Sequence, residues 1–227
     1  MTLNKTLTGE TDSHIHWLSE TIGIHHQVVK PWQALVKAAQ EQGFNLSIAS
    51  GFRSFERQLS IWDRKFSGQL PLKDRNNNLV AHQGLSEQSL IEHILIYTAL
   101  PATSRHHWGT DIDIFDPKLL SEGQNLQLEP WEYQKYGPFE SLAKWLNLHA
   151  AKFGFYFPYD QDRGGVAIEP WHLSYQPLAK HFSQQLTAEL VYNCLDNSAI
   201  LGKSYLLKHI DVIFTQYVNN IGEFPHG

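Results

Sequence analysis

Two short stretches hold residues that could do chemistry together. One reads Ser104-Arg-His-His-Trp-Gly-Thr-Asp-Ile-Asp113 and the other Glu169-Pro-Trp-His172. Two histidines and one carboxylate, with a fourth position left to water, suit a catalytic zinc ion. His106, Asp113 and His172 could supply that set. His106 precedes a turn at Gly109 and Asp113 follows it, so the turn can fold both side chains onto one point, while His172 would arrive from a neighbouring strand. Glu169 stands three residues before His172. In an extended chain such a pair projects to opposite sides, but Pro170 predicts a bend that aims both into one pocket. Glu169 would then be the base for a zinc-activated water, whose pKa the metal brings towards ~7.

Each residue alone has a plainer reading. A chain with 13 histidines contains pairs by chance, and His25-His26 is a second pair. Asp113 could simply close a strand, and Glu169 and His172 could flank a core Trp171 at the surface. A third stretch, Ser50-Gly-Phe-Arg-Ser-Phe-Glu-Arg-Gln58, is a strand end, a glycine turn and a helix start. Arg53 at that junction could project into a cleft, where its planar fork would hold a carboxylate or a developing oxyanion. The plain alternative is a solvated arginine paired with Glu56.

These residues need elements to position them. Apolar residues at helical spacing predict helices over 24–42, 54–66 with Ser54 as N-cap, 86–100 ending before Pro101, 138–153, 176–192 and 203–218. Short alternating runs predict strands at 45–50, 109–116, 154–158 and 171–175. In the 109–116 run Asp111 and Asp113 share one face, with Ile112 and Ile114 on the other. Residues 73–83 and 117–136 read as loops. Helices and short strands are interspersed without a regular strand-then-helix rhythm, so the fold class expected is α+β, a small central antiparallel sheet flanked by helices. Residues 1–22 read as a loosely tied polar lead-in to a single domain over 23–227, closed by helices at about 177–218.

The chain has 227 residues, 42% hydrophobic and 18% charged, the balance of a globular protein. Its net charge of −5 argues against a broadly basic nucleic-acid binder. The single cysteine, Cys194, excludes an intramolecular disulfide and multi-cysteine metal sites. No run is long and apolar enough to span a membrane. The start does not read as a secretory signal, so the expected compartment is the cytoplasm as the chain stands, or the cell envelope if a leader has been removed. The histidines at 14, 16, 25, 26, 82, 93, 149, 181, 209 and 226 show no clustering beyond pairs, which argues against a metal store.

In order and spacing, the three stretches resemble the VanY-type zinc D-alanyl-D-alanine carboxypeptidases, a family whose relatives include D-Ala-D-Ala dipeptidases, L,D-carboxypeptidases and phage peptidoglycan endopeptidases. Ser104, His106, Gly109 and Asp113 match its first motif. Glu169 and His172 match the second, extended by Trp171 and Tyr175. Phe52, Arg53, Ser54 and Gln58 match an earlier arginine motif. The resemblance implies one zinc ion per chain on His106, Asp113 and His172, and selects His106 over His107 and Asp113 over Asp111. It implies Glu169 as catalytic base and Arg53 as the holder of the substrate's carbonyl or terminal carboxylate, with Ser104, Gln58, Trp171 and Tyr175 around the substrate. The partner implied is a peptidoglycan stem peptide or muropeptide ending in D-alanine. The expected activity is D-alanyl-D-alanine carboxypeptidase. An L,D-carboxypeptidase, an endopeptidase and a non-catalytic zinc module that binds peptide or cell wall are the alternatives, and Glu169 argues against the last, which needs no base.

Two departures from the family pattern stand out. Asp111 replaces an alanine and puts a second carboxylate on the ligand face, as a partner for a ligand or a wall of the pocket. The stretch Tyr159-Asp-Gln-Asp-Arg-Gly-Gly165 is unusually acidic and bears on substrate preference. His107 and Trp108 are expected at the pocket rim.

Overall fold

The computed structural model describes residues 2–224, so His226 lies outside the described residues. In chain order the main elements are α1 (Thr2–Thr8), β1 (Ile15–Trp17), β2 (Gly23–His25), α2 (Val29–Gln40), β3 (Ser47–Ser50), α3 (Phe55–Phe66), β4 (Leu72–Lys73), β5 (Leu79–Val80), α4 (Glu87–Tyr97), β6 (Asp111–Phe115), α5 (Pro130–Tyr133), α6 (Glu140–His149), β7 (Phe155–Tyr156), β8 (His172–Tyr175), α7 (Gln176–Gln185), α8 (Ala188–Asp196), α9 (Lys203–Lys208) and α10 (Ile210–Ile213). The central sheet has the order β3-β6-β8-β7 and every pairing is antiparallel. This is the α+β architecture expected from the interspersed elements.

The buried apolar residues form two clusters. Ile112, Ile114 and Leu173 are fully buried on one face of the sheet, against Val28, Trp32 and Leu35 from the α2 region and Phe139, Leu142 and Leu146 from the α6 region. Each such side chain contributes roughly 1.5–3 kcal/mol by leaving water. The period-two alternation then forces Asp111 and Asp113 onto the opposite face. The second cluster joins α1, α3, α4 and the closing helices around Trp62, Ile94, Trp108 and Leu206.

The polar start is not a loose lead-in. Leu7 is buried in the second cluster, and its carbonyl accepts the Trp108 indole N–H at 3.1 Å. β1 then pairs with β2. Polar composition concealed this because one leucine and main-chain hydrogen bonds anchor the segment. The expected loop over 73–83 contains a small hairpin, β4–β5, closed by Asp74 accepting the backbone N–H groups of Asn76 and Asn78. The expected helix over 176–192 breaks at Leu186, and Thr187 caps a new one by accepting the N–H of Leu190.

Candidate metal centre

His106 sits in a single 3-10 turn, Arg105–Trp108, that ends at Gly109. Gly109 has φ +65°, and a Cβ there would lie 2.7 Å from the His25 amide nitrogen. Only glycine both adopts that backbone and admits the approach of β2. The turn sends the chain straight into β6. In the sheet, Asp113 lies directly opposite His172. Glu169 and His172 are the ends of a tight turn, the His172 N–H donating to the Glu169 carbonyl at 3.1 Å, with Pro170 in the second position. The expected bend is therefore a β-turn, and it brings Glu169 Oε2 to 3.3 Å from His172 Nδ1.

Ligand atoms of His106, Asp113 and His172 lie within 4.8 Å of one another, and all three residues are buried. Their protonation follows from what stands behind them. His106 Nδ1 is 2.8 Å from the Gly51 carbonyl, which can only accept, so Nδ1 carries the proton and Nε2 offers a lone pair. His172 Nε2 is 2.9 Å from Asp111 Oδ1, which also accepts, so the Nδ1 lone pair faces Asp113. Asp113 Oδ1, buried, has no hydrogen-bond donor. Neutral imidazoles would thus present two lone pairs to a carboxylate, three acceptors with no donor between them. A divalent cation relieves that arrangement, and the donor set is one that zinc takes. Without the ion, a proton on His172 takes the place of that positive charge. Burial opposes charge on His172, yet the Asp111, Asp113 and Glu169 carboxylates outweigh it and hold its pKa well above the ordinary value. Burial likewise opposes charge on Asp113, and His106 and His172 overcome it and hold its pKa far below the carboxylate range.

Asp111 is the partner of a ligand. Its Oδ1 also accepts Arg105 Nε at 2.7 Å, and its Oδ2 accepts the hydroxyls of Thr110 and Ser174 at 2.6 and 3.0 Å. Arg105 in turn donates to the Tyr156 and Ser174 hydroxyls. Sequence reasoning missed Arg105 altogether. Its only signal was a buried-type neighbourhood, Trp108 and two histidines, around a lone cation.

The cluster opens on a cavity of about 400 Å³. Arg53, Ser104, Trp171 and Glu169 line it together with the three clustered residues, and so do Lys65, Tyr97 and Tyr159, which the sequence did not single out. Arg53 is not paired with Glu56. Its guanidinium donates to Gln58 Oε1 at 2.9 Å and Ser50 Oγ at 3.1 Å. Three expectations need correction. Gln58 is fully buried and not on the cavity wall; it also donates to the Ala99 carbonyl and so braces Arg53. Tyr175 lies away from the cavity, its ring packed against Phe155 at the sheet edge. His107 and Trp108 are interior residues and form no rim. His107 Nδ1 binds the Arg53 carbonyl at 2.6 Å, and burial holds its pKa down at about 3. The acids of the 159–165 stretch are neutralised by arginines, Asp160 by Arg163 and Asp162 by Arg75.

Residues 21–178 match the family profile described as VanY, D-alanyl-D-alanine carboxypeptidase. The chain belongs to the VanY family. The chain is therefore a carboxypeptidase-class hydrolase of a metallopeptidase family, and His106, Asp113 and His172 form the cluster that could hold its metal ion. An uncharacterised protein of Haemophilus influenzae is 46% identical over 121 residues, 52% of this chain and 92% of that protein. Among solved structures, VanYB in complex with D-alanine-D-alanine superposes with a TM-score of 0.54 at 25% identity, covering 81% of this chain and 90% of that one. A Zn(II) complex of a VanY mutant from the VanB-type resistance cassette shares the fold, with a TM-score of 0.51 at 24% identity over 80% of this chain and 92% of that one. Among the described residues, no helix of this VanY-family chain is long and apolar enough to cross a membrane.

Proposed function

We propose that this VanY-family protein removes the terminal D-alanine from peptidoglycan stem peptides ending in D-alanyl-D-alanine. Three convergent acceptors beside an unliganded carboxylate, Glu169, in one cavity carry this reading. The VanYB complex with D-alanine-D-alanine supports the choice of substrate.

His106, Asp113 and His172 would hold the zinc. When bound, the ion would supply Lewis acidity to the scissile carbonyl and to water. Glu169 takes the proton of the attacking water and passes it to the leaving amine, so one carboxylate serves as base and then acid. It is poised for this at the cavity wall, side-chain exposure 13%, held by the 169–172 turn and by its N–H bond to the Tyr159 carbonyl. Arg53 spends two of its five N–H groups on Gln58 and Ser50, and among the described residues the rest have no partner, which leaves them for the oxygen on which charge develops. Because that fork is anchored at two points, little reorganisation accompanies the reaction. Trp171 and Ser104 line the space for the peptide.

The test is digestion of penta-, tetra- and tripeptide stems, each separately, by the zinc-loaded protein, with the products weighed. Loss of one alanine from the pentapeptide alone supports the proposal. Cleavage of the tetrapeptide alone, or a cut inside the stem, replaces it with an L,D-carboxypeptidase or an endopeptidase. No turnover with full zinc occupancy makes it a binding module.

A further inference from the structure

Four basic side chains line the cavity, namely Arg53, Lys65, Lys73 and Arg105. Three are committed. Arg105 is bound to Asp111, Tyr156 and Ser174. Lys73 is ion-paired with Glu129. Arg53 is tied to Gln58 and Ser50 beside the reacting centre. Lys65 is different. It comes from the last turn of α3, and among the described residues its ammonium has neither a hydrogen bond nor an ion pair. Burial lowers its pKa to about 8, and the more distant attraction of Glu169 does not make up the difference. Among the described residues, the wall therefore holds a partly desolvated cation with no ion-pair partner, in the cavity that Glu169 also lines.

We propose that Lys65 is the cationic pole of an anion subsite in this cavity and receives a free carboxylate of the peptide substrate. The inference rests on the peptidase reading above and adds to it the residue that selects an acidic substrate. A bound carboxylate completes the missing ion pair, while an uncharged group at the same place leaves the ammonium unpaired at a cost. A stem peptide with lysine as its third residue offers such a carboxylate in two positions, at the C-terminus and on the second residue, and the assignment holds for whichever one reaches Lys65.

The experiment uses the zinc-loaded full chain as parent, Lys65→Met and Lys65→Arg. Three pentapeptides serve as probes: the free acid, its C-terminal amide, and the free acid with the second-residue carboxylate amidated. With the free acid, Lys65→Met should raise KM about tenfold to a hundredfold, the loss of one charge-assisted hydrogen bond, with kcat within threefold, and Lys65→Arg should recover most of it. The parent should show the same penalty on one amidated peptide, and Lys65→Met should add nothing further on that peptide, which identifies the carboxylate. Calorimetric binding of the same three peptides by parent and variant runs beside the kinetics. If none is hydrolysed, the peptidase reading falls, yet a binding loss confined to one carboxylate still supports the subsite. An equal loss on all three peptides, or no loss on any, overturns the role of Lys65.

Discussion

Asp111 and His172 share one hydrogen bond, 2.9 Å long, and it decides which nitrogen of the imidazole faces the cavity. The carboxylate that makes it accepts from four different side chains, His172, Arg105, Thr110 and Ser174, and has no exposed surface. Asp111→Asn should therefore loosen the metal ligand rather than abolish it. The expected outcome is a zinc affinity about 10–100-fold weaker, read by competition with a chromogenic chelator. Breaking a buried ion pair from one side typically costs ~3–5 kcal/mol, so urea denaturation should show a stability loss of that order.

His172→Ala should leave the protein with far less than one equivalent of zinc after dialysis, measured by elemental analysis. A full equivalent retained by this variant would remove His172 from the ligand set.

Glu169→Ala separates binding from chemistry. Its metal content should match the parent, because Glu169 is not among the three convergent residues, while turnover of a pentapeptide stem falls ~10²–10⁴-fold. Parent-like turnover would mean another group moves the proton.

Arg53→Lys keeps a charge but loses the anchored fork. We expect kcat to fall ~10²–10³-fold. Gln58→Leu should produce a smaller drop of the same kind, since it frees Arg53 without removing it, and a stopped assay on the same stem checks both.

The metal-free protein should lose stability as pH rises. The folded pKa of His172 lies above that of an unfolded histidine, ~6.5, so its contribution is complete below that pH and disappears as pH climbs through the folded value. Asp113 and Asp111 act in the other direction. Their folded pKa values are depressed, so their contribution is present above ~4 and is lost on acidification. Thermal melts of the chelated protein should decline from pH 6.5 upward and again below pH 4. Zinc should abolish the alkaline decline and release about one proton on binding at pH 7, measurable by calorimetry in two buffers of different ionisation enthalpy.

Much of the centre could be read from residue types. The alternation of aspartate and isoleucine in 111–114 assigned faces correctly because one face had to enter the core. The Ser54 cap, the Gly109 turn and the Pro170 bend are local chemistry, and each is found where the sequence placed it. What failed was direction over distance. Gln58 belongs to the right helix, but the arrival of the Ala99 carbonyl, 41 residues later, turns its side chain inward. Tyr175 is the last residue of the ligand strand, yet β7 pairs there and its ring closes on Phe155. Lys65 carried no motif at all, because its meaning lies in the partners it lacks.

Antiparallel pairing sets Asp113 opposite His172 with Leu173 opposite Ile112. Sliding β8 by a single residue would swing Leu173 into the polar cavity and thrust the imidazole among Ile112, Ile114 and the helices behind them. The oily side of the sheet thus proofreads the reactive side. Substitutions at Ile112 or Leu173, touching nothing that reacts, can misalign the ligands as surely as a change in one of them.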